Sequence, residues 1–393
     1  MIRVFILIYV FSFSLYCEGV KSGLEVLEEE NFDILKNKKI GVIVNHTSIN
    51  SKGLNLVDIF IKNNINLIAI FSPEHGFKGD IEGGFSIDNS TYNLVPIYSL
   101  YGKTKKPTDE MLKDLDTLVF DIQDVGVRFY TYLTTMGYAM EEATKRDIEF
   151  IVLDRPNPIS DVIEGPVLDK DIKAFTAYYE VPVRHSLTPC EMAYFHKLKS
   201  NLKINLKCVK MKNYNHKMFF NETNLPWVNP SPNIRNLNAA ILYAGIGCFE
   251  ATNISVGRGT EMPFEFFGSP WLDNESLVEY LNSKKLDGVE FYPVEKIPDS
   301  DLYKGEKVKG VYIKVLDKEK VRAMDIFVHS IYFIYRNHRD KLLIEEDGMK
   351  RMVNEKFLKW LYKGKEPQYI LNKFQKGIKK YQKYLKKNNI VMY

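Results

Sequence analysis

Cysteine is scarce in this chain. There are four in 393 residues, and no two stand in a CxxC spacing. That excludes a zinc or dithiol redox motif. Cys190, Cys208 and Cys248 are scattered and odd in number, so the expectation is buried free thiols rather than a disulfide framework. No GxGxxG follows the first apolar run, so the dinucleotide fingerprint is absent. No HExxH and no GxSxG elbow occurs, which argues against a zincin or a serine hydrolase. His46, His75, His185, Asp121, Asp124 and Asp154 could in principle assemble a metal site. They have no specific spacing, and neither metal nor cofactor is expected. Charge of one sign is also lacking. Lys+Arg number 54 against 50 Asp+Glu, and a net +4 is too small to imply nucleic acid. Repeats and low-complexity linkers are missing.

Only one long hydrophobic run exists. It follows Arg3 and spans Val4–Tyr16, broken by Ser12 and Ser14. About 13 residues is too short to span a bilayer and right for the core of a signal peptide. We expect residues 1–17 to be that signal and the protein to be exported, to the periplasm or the cell surface. An N-terminal membrane anchor is the alternative. Cys17 is a possible lipid anchor, although Tyr16 is large where a processing site wants a small residue. The rest is ordinary for a protein with a full core: 45% hydrophobic and 26% charged. The 13% aromatic content suits such a core first, and carbohydrate recognition second.

What is present is a repeated pattern of apolar runs that end in polar clusters. Val42-Ile43-Val44 leads into Asn45-His46-Thr47-Ser48. Ile65–Phe71 leads into Pro73-Glu74-His75-Gly76. Val119-Phe120 leads into Asp121-Ile122-Gln123-Asp124, and Ile151-Val152-Leu153 into Asp154-Arg155-Pro156-Asn157. Helical periodicity separates these runs, as in Leu54, Val57, Phe60, Ile61 and in Met136, Ala139, Met140, Ala143. The alternation predicts an α/β fold, a mostly parallel sheet with helices on both faces. Polar strand ends are where such a sheet builds a site. Thr188 with Glu191 three residues on is a capping box that predicts a helix over Thr188–Leu198. Residues 80–101 read as a long loop or a short hairpin. A soft boundary between Lys210 and Pro230 divides a domain at 24–220 from a smaller α+β domain at 221–393. The latter has strands at Val289–Val294 and Val308–Leu316, a helix at Val321–Tyr335 and a Lys-rich last helix. The lysine face is most simply solvated, with membrane-surface binding as the lesser reading.

Glu74 is the centre of this pattern. It stands just past a strand end, where a carboxyl is partly desolvated, as a general acid requires. His75 can share the proton work or hold Glu74 in place. Arg128, in DIQDVGVRFYTY, suits a substrate carboxylate, or an internal bridge to an Asp. Asp154 and Asn157 can bind sugar hydroxyls or hold their turn.

At these residues the chain resembles the exo-β-N-acetylmuramidases of the NamZ type, a bacterial glycoside hydrolase family. SPEHGFKGDIEGG, VPIYSLYGKTKKPT, DIQDVGVRFYTYLTTM, VLDRPNPI, VPVRHSLTPCEMA, WVNPSPNIRNL and FEATNISVGRGTEMPFEFFGSPW carry the likeness, in order, from about Val42 to Trp271. The resemblance implies a Rossmann-like catalytic domain with an auxiliary domain and a cleft between them. It implies release of N-acetylmuramic acid from the non-reducing end of peptidoglycan fragments. The family's proposed catalytic glutamate maps onto Glu74, and no metal or nucleotide is implied. The expected catalytic pair is Glu74 and His75. The expected substrate-binding set is Asn45, Asp121, Gln123, Arg128, Tyr130, Asp154, Asn157, Glu191, Asn233, Glu250, Asn253, Arg258 and Thr260. A glycosidase needs a second group. Asp121, Asp124, Glu164, Glu250, Glu265 and His75 all remain open, as does the sugar's own acetamido oxygen acting as nucleophile. Arg128 or Arg258 would hold the lactyl carboxylate. A non-catalytic exported binding lipoprotein of the same fold and a metal-dependent hydrolase are the competing readings.

Overall fold

Strands β1 (Ile40–Val44), β2 (Leu67–Ser72), β3 (Ser90–Tyr92), β4 (Val95–Ser99), β5 (Thr117–Asp121), β6 (Glu149–Leu153) and β7 (Leu206–Val209) form one seven-stranded sheet. The order is β3-β4-β2-β1-β5-β6-β7, parallel throughout except for the β3–β4 hairpin at one edge. The computed structural model describes residues 19–82 and 85–393; the expected signal peptide and Cys17 lie outside them.

The strand sequences explain why both faces are covered. In β5 and β6, Leu118, Phe120, Phe150 and Val152 face one buried cluster, while Val119, Ile151 and Leu153 face the other. In β1, Ile43 joins the first cluster, and Ile40, Val42 and Val44 the second. Side chains alternate with a period of two, so a run that is apolar at every position must be buried on both sides. The helices Gly23–Glu29 and Leu56–Lys62 cover one face; Tyr132–Lys145 and Pro189–Lys199 cover the other. The capping box of the last of these forms as expected, with the Thr188 hydroxyl accepting from Glu191 N and the Glu191 carboxylate from Thr188 N.

The expected free thiols at Cys190 and Cys208 are corrected: the two are joined as a disulfide, with Cα atoms 5.9 Å apart. Cys190 opens the helix Pro189–Lys199 and Cys208 lies in β7, which pairs with β6 beneath it. Linear spacing hid what the sheet brings together. Cys248 is free and buried.

A second sheet, in order β8-β10-β9, is antiparallel: β8 (Phe266–Ser269), β9 (Val289–Lys296) and β10 (Val308–Val315). Helix Asn274–Ser283 packs on it and against helix Ala323–Asn337, which in turn packs against Leu237–Ile246 and Pro367–Lys387; most of their buried residues belong to the same apolar cluster as one face of the large sheet. Strand order reverses between β1 and β5, the switch point at which open α/β sheets bind ligands.

Candidate active site

The polypeptide leaves β2 through a tight turn, with Gly76 N bonded to Pro73 O at 3.1 Å. His75 takes φ +69° and Gly76 φ +79°. Left-handed backbone at a non-glycine residue is uncommon and is held only by its surroundings. Here the holding contact is a bond of 2.7 Å from His75 Nδ1 to Ile81 O, so Nδ1 carries the ring proton and Nε2 is left as the other polar atom. The following loop rests on His46. A Cβ at Gly79 would fall 1.9 Å from that ring, so only glycine fits.

The turn aims Glu74 and His75 into a cleft of about 120 Å³. Phe129, Tyr130, Tyr243 and Phe264 line it as an aromatic wall, Phe129–Tyr243 and Tyr243–Phe264 meeting edge-on at 5.1 and 4.6 Å. Ser231, Asn233 and Ile234 come from the loop before helix Leu237–Ile246, which the Tyr132 hydroxyl fixes by donating to Pro230 O at 2.6 Å. Tyr130 Oη is buried beside Ser231 and Tyr132 without a well-formed hydrogen bond. Thr131 Oγ1 donates to Glu74 Oε2 at 2.5 Å.

The second carboxylate of the cleft is Glu250, in ion contact with Arg258. Burial pushes the Glu250 carboxyl up, against the pull of the Arg258 charge; that same partner holds the guanidinium protonated. Arg258 also lies 3.7 Å from Asp301 and 5.6 Å from the centre of the Phe264 ring. A further depression with Glu82, Phe85, Ser300 and Asp301 adjoins the cleft, sharing Asn233 and Arg258 as walls. No group of three or more His, Cys, Asp or Glu among the described residues is placed to hold a metal ion.

Family models describe this architecture. The N-terminal model of the exo-beta-N-acetylmuramidase NamZ matches residues 40–238, and the C-terminal model matches residues 241–393. The chain belongs to the NamZ family. It is 40% identical over 385 residues to the peptidoglycan beta-N-acetylmuramidase NamZ of Bacillus subtilis (strain 168), covering 94% of this chain and 90% of that one. Two crystal structures of DUF1343 family proteins from Bacteroides fragilis NCTC 9343 are similar. One superposes with a TM-score of 0.87 at 34% identity, covering 94% of this chain and 98% of the other. The second has a TM-score of 0.78 at 29% identity, covering 96% and 99%.

Within this NamZ-family chain, the expected site residues divide sharply. Glu74, His75, Tyr130, Asn233, Glu250 and Arg258 line the cleft. The others do not. Arg128 is buried, and its two terminal nitrogens donate to carbonyls of Pro166, Val181, Arg351, Met352 and Val353 at 2.7–3.3 Å. It caps the C-terminal end of helix Glu346–Met352, as a cation favours, and thereby sets Met352 in the cleft wall. Asp121 takes a bidentate pair with Arg155. Gln123 donates to Asp124 O and Pro156 O. Asn45 accepts from Thr47, and Asn157 spans to Leu187 O.

Asp154 and Glu191 serve the C-terminus. Asp154 accepts from Tyr393 Oη, Thr188 Oγ1 and Cys190 N; Glu191 accepts from Met392 N. Asn253 holds the Lys341–Leu343 segment, and Thr260 closes its own turn onto Gly257 O. Of the other carboxylates considered for the second group, Glu164 pairs with Arg184 and Glu265 accepts from Asn236. Asp124 accepts from Gly126 N beneath the cleft, where burial pushes it up to about 7. Thr131, Tyr243, Phe264 and Met352 were not expected. Thr131 was within reach, being the next residue but two after Arg128 in a motif already singled out.

Proposed function

We propose that this chain is an exo-acting glycoside hydrolase that releases N-acetylmuramic acid from the non-reducing end of peptidoglycan fragments, with Glu74 as the general acid. The observation that carries this reading is convergence. Of the polar strand-end groups, only Glu74-His75 reaches the cleft, and there it meets Glu250 and Arg258. Cleavage of a glycosidic bond needs a proton on the departing oxygen and stabilisation of an oxocarbenium-like centre at C1. Glu74 supplies the proton to the glycosidic oxygen as the C1–O bond breaks. Thr131 fixes the oxygen that does not carry it. His75, which lines the same cleft, relays the proton that restores the acid. Arg258 pairs with the lactyl carboxylate of the sugar, and Glu250 holds Arg258 in that position. Glu250 is also the carboxylate available to activate water or to orient the acetamido group. The anomer first released, read by proton NMR, distinguishes those two routes.

The protein acts outside the cytoplasm in this reading. Two features support it: the Val4–Tyr16 apolar run, and the Cys190–Cys208 disulfide, a bond that persists in oxidising compartments. Lipidation at Cys17 is part of the proposal and is tested by the mass of the mature N-terminal peptide.

The test uses two disaccharides. One carries N-acetylmuramic acid at the non-reducing end, linked β-1,4 to N-acetylglucosamine; the other has the order reversed. Release of N-acetylmuramic acid from the first, with the second left intact, is expected. Equal cleavage of both, or of neither by folded protein, contradicts the proposal.

A further inference from the structure

The last helix, Pro367–Lys387, contains seven lysines and no acidic residue, and none follows it to Tyr393. The remainder of the chain is therefore slightly acidic, although the whole carries +4. All seven lysines (373, 376, 379, 380, 383, 386 and 387) are exposed, and none enters an ion pair among the described residues. At 3.6 residues per turn they fall within an arc of about 140°. The arc lies opposite the stripe of Ile370, Phe374, Ile378, Tyr381 and Leu385, which is buried in the core. The apolar side of the helix is thus already used, and the outward side is a strip of uncompensated point charges roughly 20 Å long.

One aromatic ring shares the strip. Tyr369 is 39% exposed, and Lys365 and Lys373 lie 5.4 and 4.9 Å from its centre. A tyrosine with one apolar and one wet side suits the headgroup level of a bilayer. A cluster of lysines on one helix face suits anionic lipid.

We infer that this strip is a docking surface for a membrane rich in anionic phospholipid headgroups. The contact is adsorption and not insertion: the apolar face of the helix is sealed in the core, and no helix among the described residues is long and apolar enough to cross a membrane. Attraction of this kind is screened by salt. The charged strip and the exposed tyrosine together favour a lipid surface over a soluble polyanion, which matches the lysines but gives the ring no interface. The inference is independent of the glycosidase reading, because the strip shares no residue with the cleft.

The test is co-sedimentation of the full chain with vesicles of phosphatidylcholine alone and of phosphatidylcholine mixed with phosphatidylglycerol. It is run beside a variant carrying K376E, K380E, K383E and K387E, four exposed positions. The wild type is expected to favour the phosphatidylglycerol vesicles, to release them at high salt, and to lose at least about tenfold in binding in the variant. Cleavage of a soluble disaccharide is expected to be unchanged. Comparison within the full chain removes any contribution of the apolar N-terminus, which both proteins share. Equal binding by the two proteins, no preference for phosphatidylglycerol, or retention of soluble poly(glycerol phosphate) without vesicle binding each overturns the inference.

Discussion

Thr131 Oγ1 and Glu74 Oε2 are joined at 2.5 Å across two strand ends, the first after β5 and the second after β2. Thr131 is the N-cap residue of helix Tyr132–Lys145, yet its hydroxyl makes no cap bond and is turned to the carboxyl instead. A favoured local bond has given way to one with the cleft carboxyl. Replacing Thr131 by valine keeps the shape and removes the donor. We expect kcat to fall about fivefold with KM little changed, since one neutral hydrogen bond is worth about 1 kcal/mol. A rise in KM with kcat intact, in steady-state kinetics on the N-acetylmuramic acid disaccharide with its basic sugar leaving group, would move Thr131 to substrate binding.

Arg258 is the cation of the cleft wall, so its removal should strike the lactyl group selectively. Arg258→Gln is expected to lower kcat/KM for an N-acetylmuraminide by about 10- to 100-fold, the worth of a charge-assisted hydrogen bond. The residual activity on the matching N-acetylglucosaminide, which has no lactyl carboxylate, should change far less. The ratio of the two specificity constants is the readout; equal losses on both substrates would mean that Arg258 only holds Glu250.

Arg128 should behave differently. Its donors end on five backbone carbonyls, and removing them leaves buried acceptors unpaired. Arg128→Met is expected to destabilise the fold by about 3 kcal/mol or more, seen as a fall in the urea midpoint. A variant of unaltered stability with a raised KM would place Arg128 at the substrate after all.

His185 provides a pH signature. It is buried, its Nδ1 accepts from Leu187 N at 3.1 Å, and Nε2 has no hydrogen-bond partner among the described residues. Burial, with the Arg128 charge nearby, pushes it down to about 3 from an ordinary 6.5. The folded state binds fewer protons than the unfolded state between these values. Stability is therefore fully present above pH 6.5 and is lost as the pH falls toward 3, at up to about 1.4 kcal/mol per unit from this group. Urea unfolding of His185→Asn across that range should show a shallower decline than wild type. Parallel curves would contradict the assignment.

The large sheet was legible because its strands are apolar at every position and its helices are periodic. Ile40–Val44 and Thr117–Asp121 could hardly be anything else. The capping box at Thr188 was legible for the same local reason. The site was legible only in part. Four strand ends carry polar clusters, and sequence cannot say which of them face solvent. In the fold, Asn45, Asp121, Gln123, Asp154 and Asn157 bond to one another's loops and make a rigid floor, and Glu74 alone of these strand-end carboxylates rises above it. Arg128 was misleading because a guanidinium suits carbonyls of a helix end as well as it suits a substrate carboxylate. The Cys190–Cys208 bond was hidden because packing of helix Pro189–Lys199 on β7, and not spacing, brings the sulfurs together. Tyr243 and Met352 are recruited by packing from far along the chain, and no local pattern marks them.

The most direct measurement is turnover by Glu74→Gln beside wild type, on two N-acetylmuraminides whose leaving groups differ widely in basicity. Gln is nearly isosteric but has no proton to give. We predict that kcat for the basic, sugar leaving group falls by at least about 100-fold. The loss for an acidic aryl leaving group, which departs without protonation, should be much smaller. Near-full activity of a folded Glu74→Gln on the sugar substrate, or equal losses on both, would contradict Glu74 as the general acid.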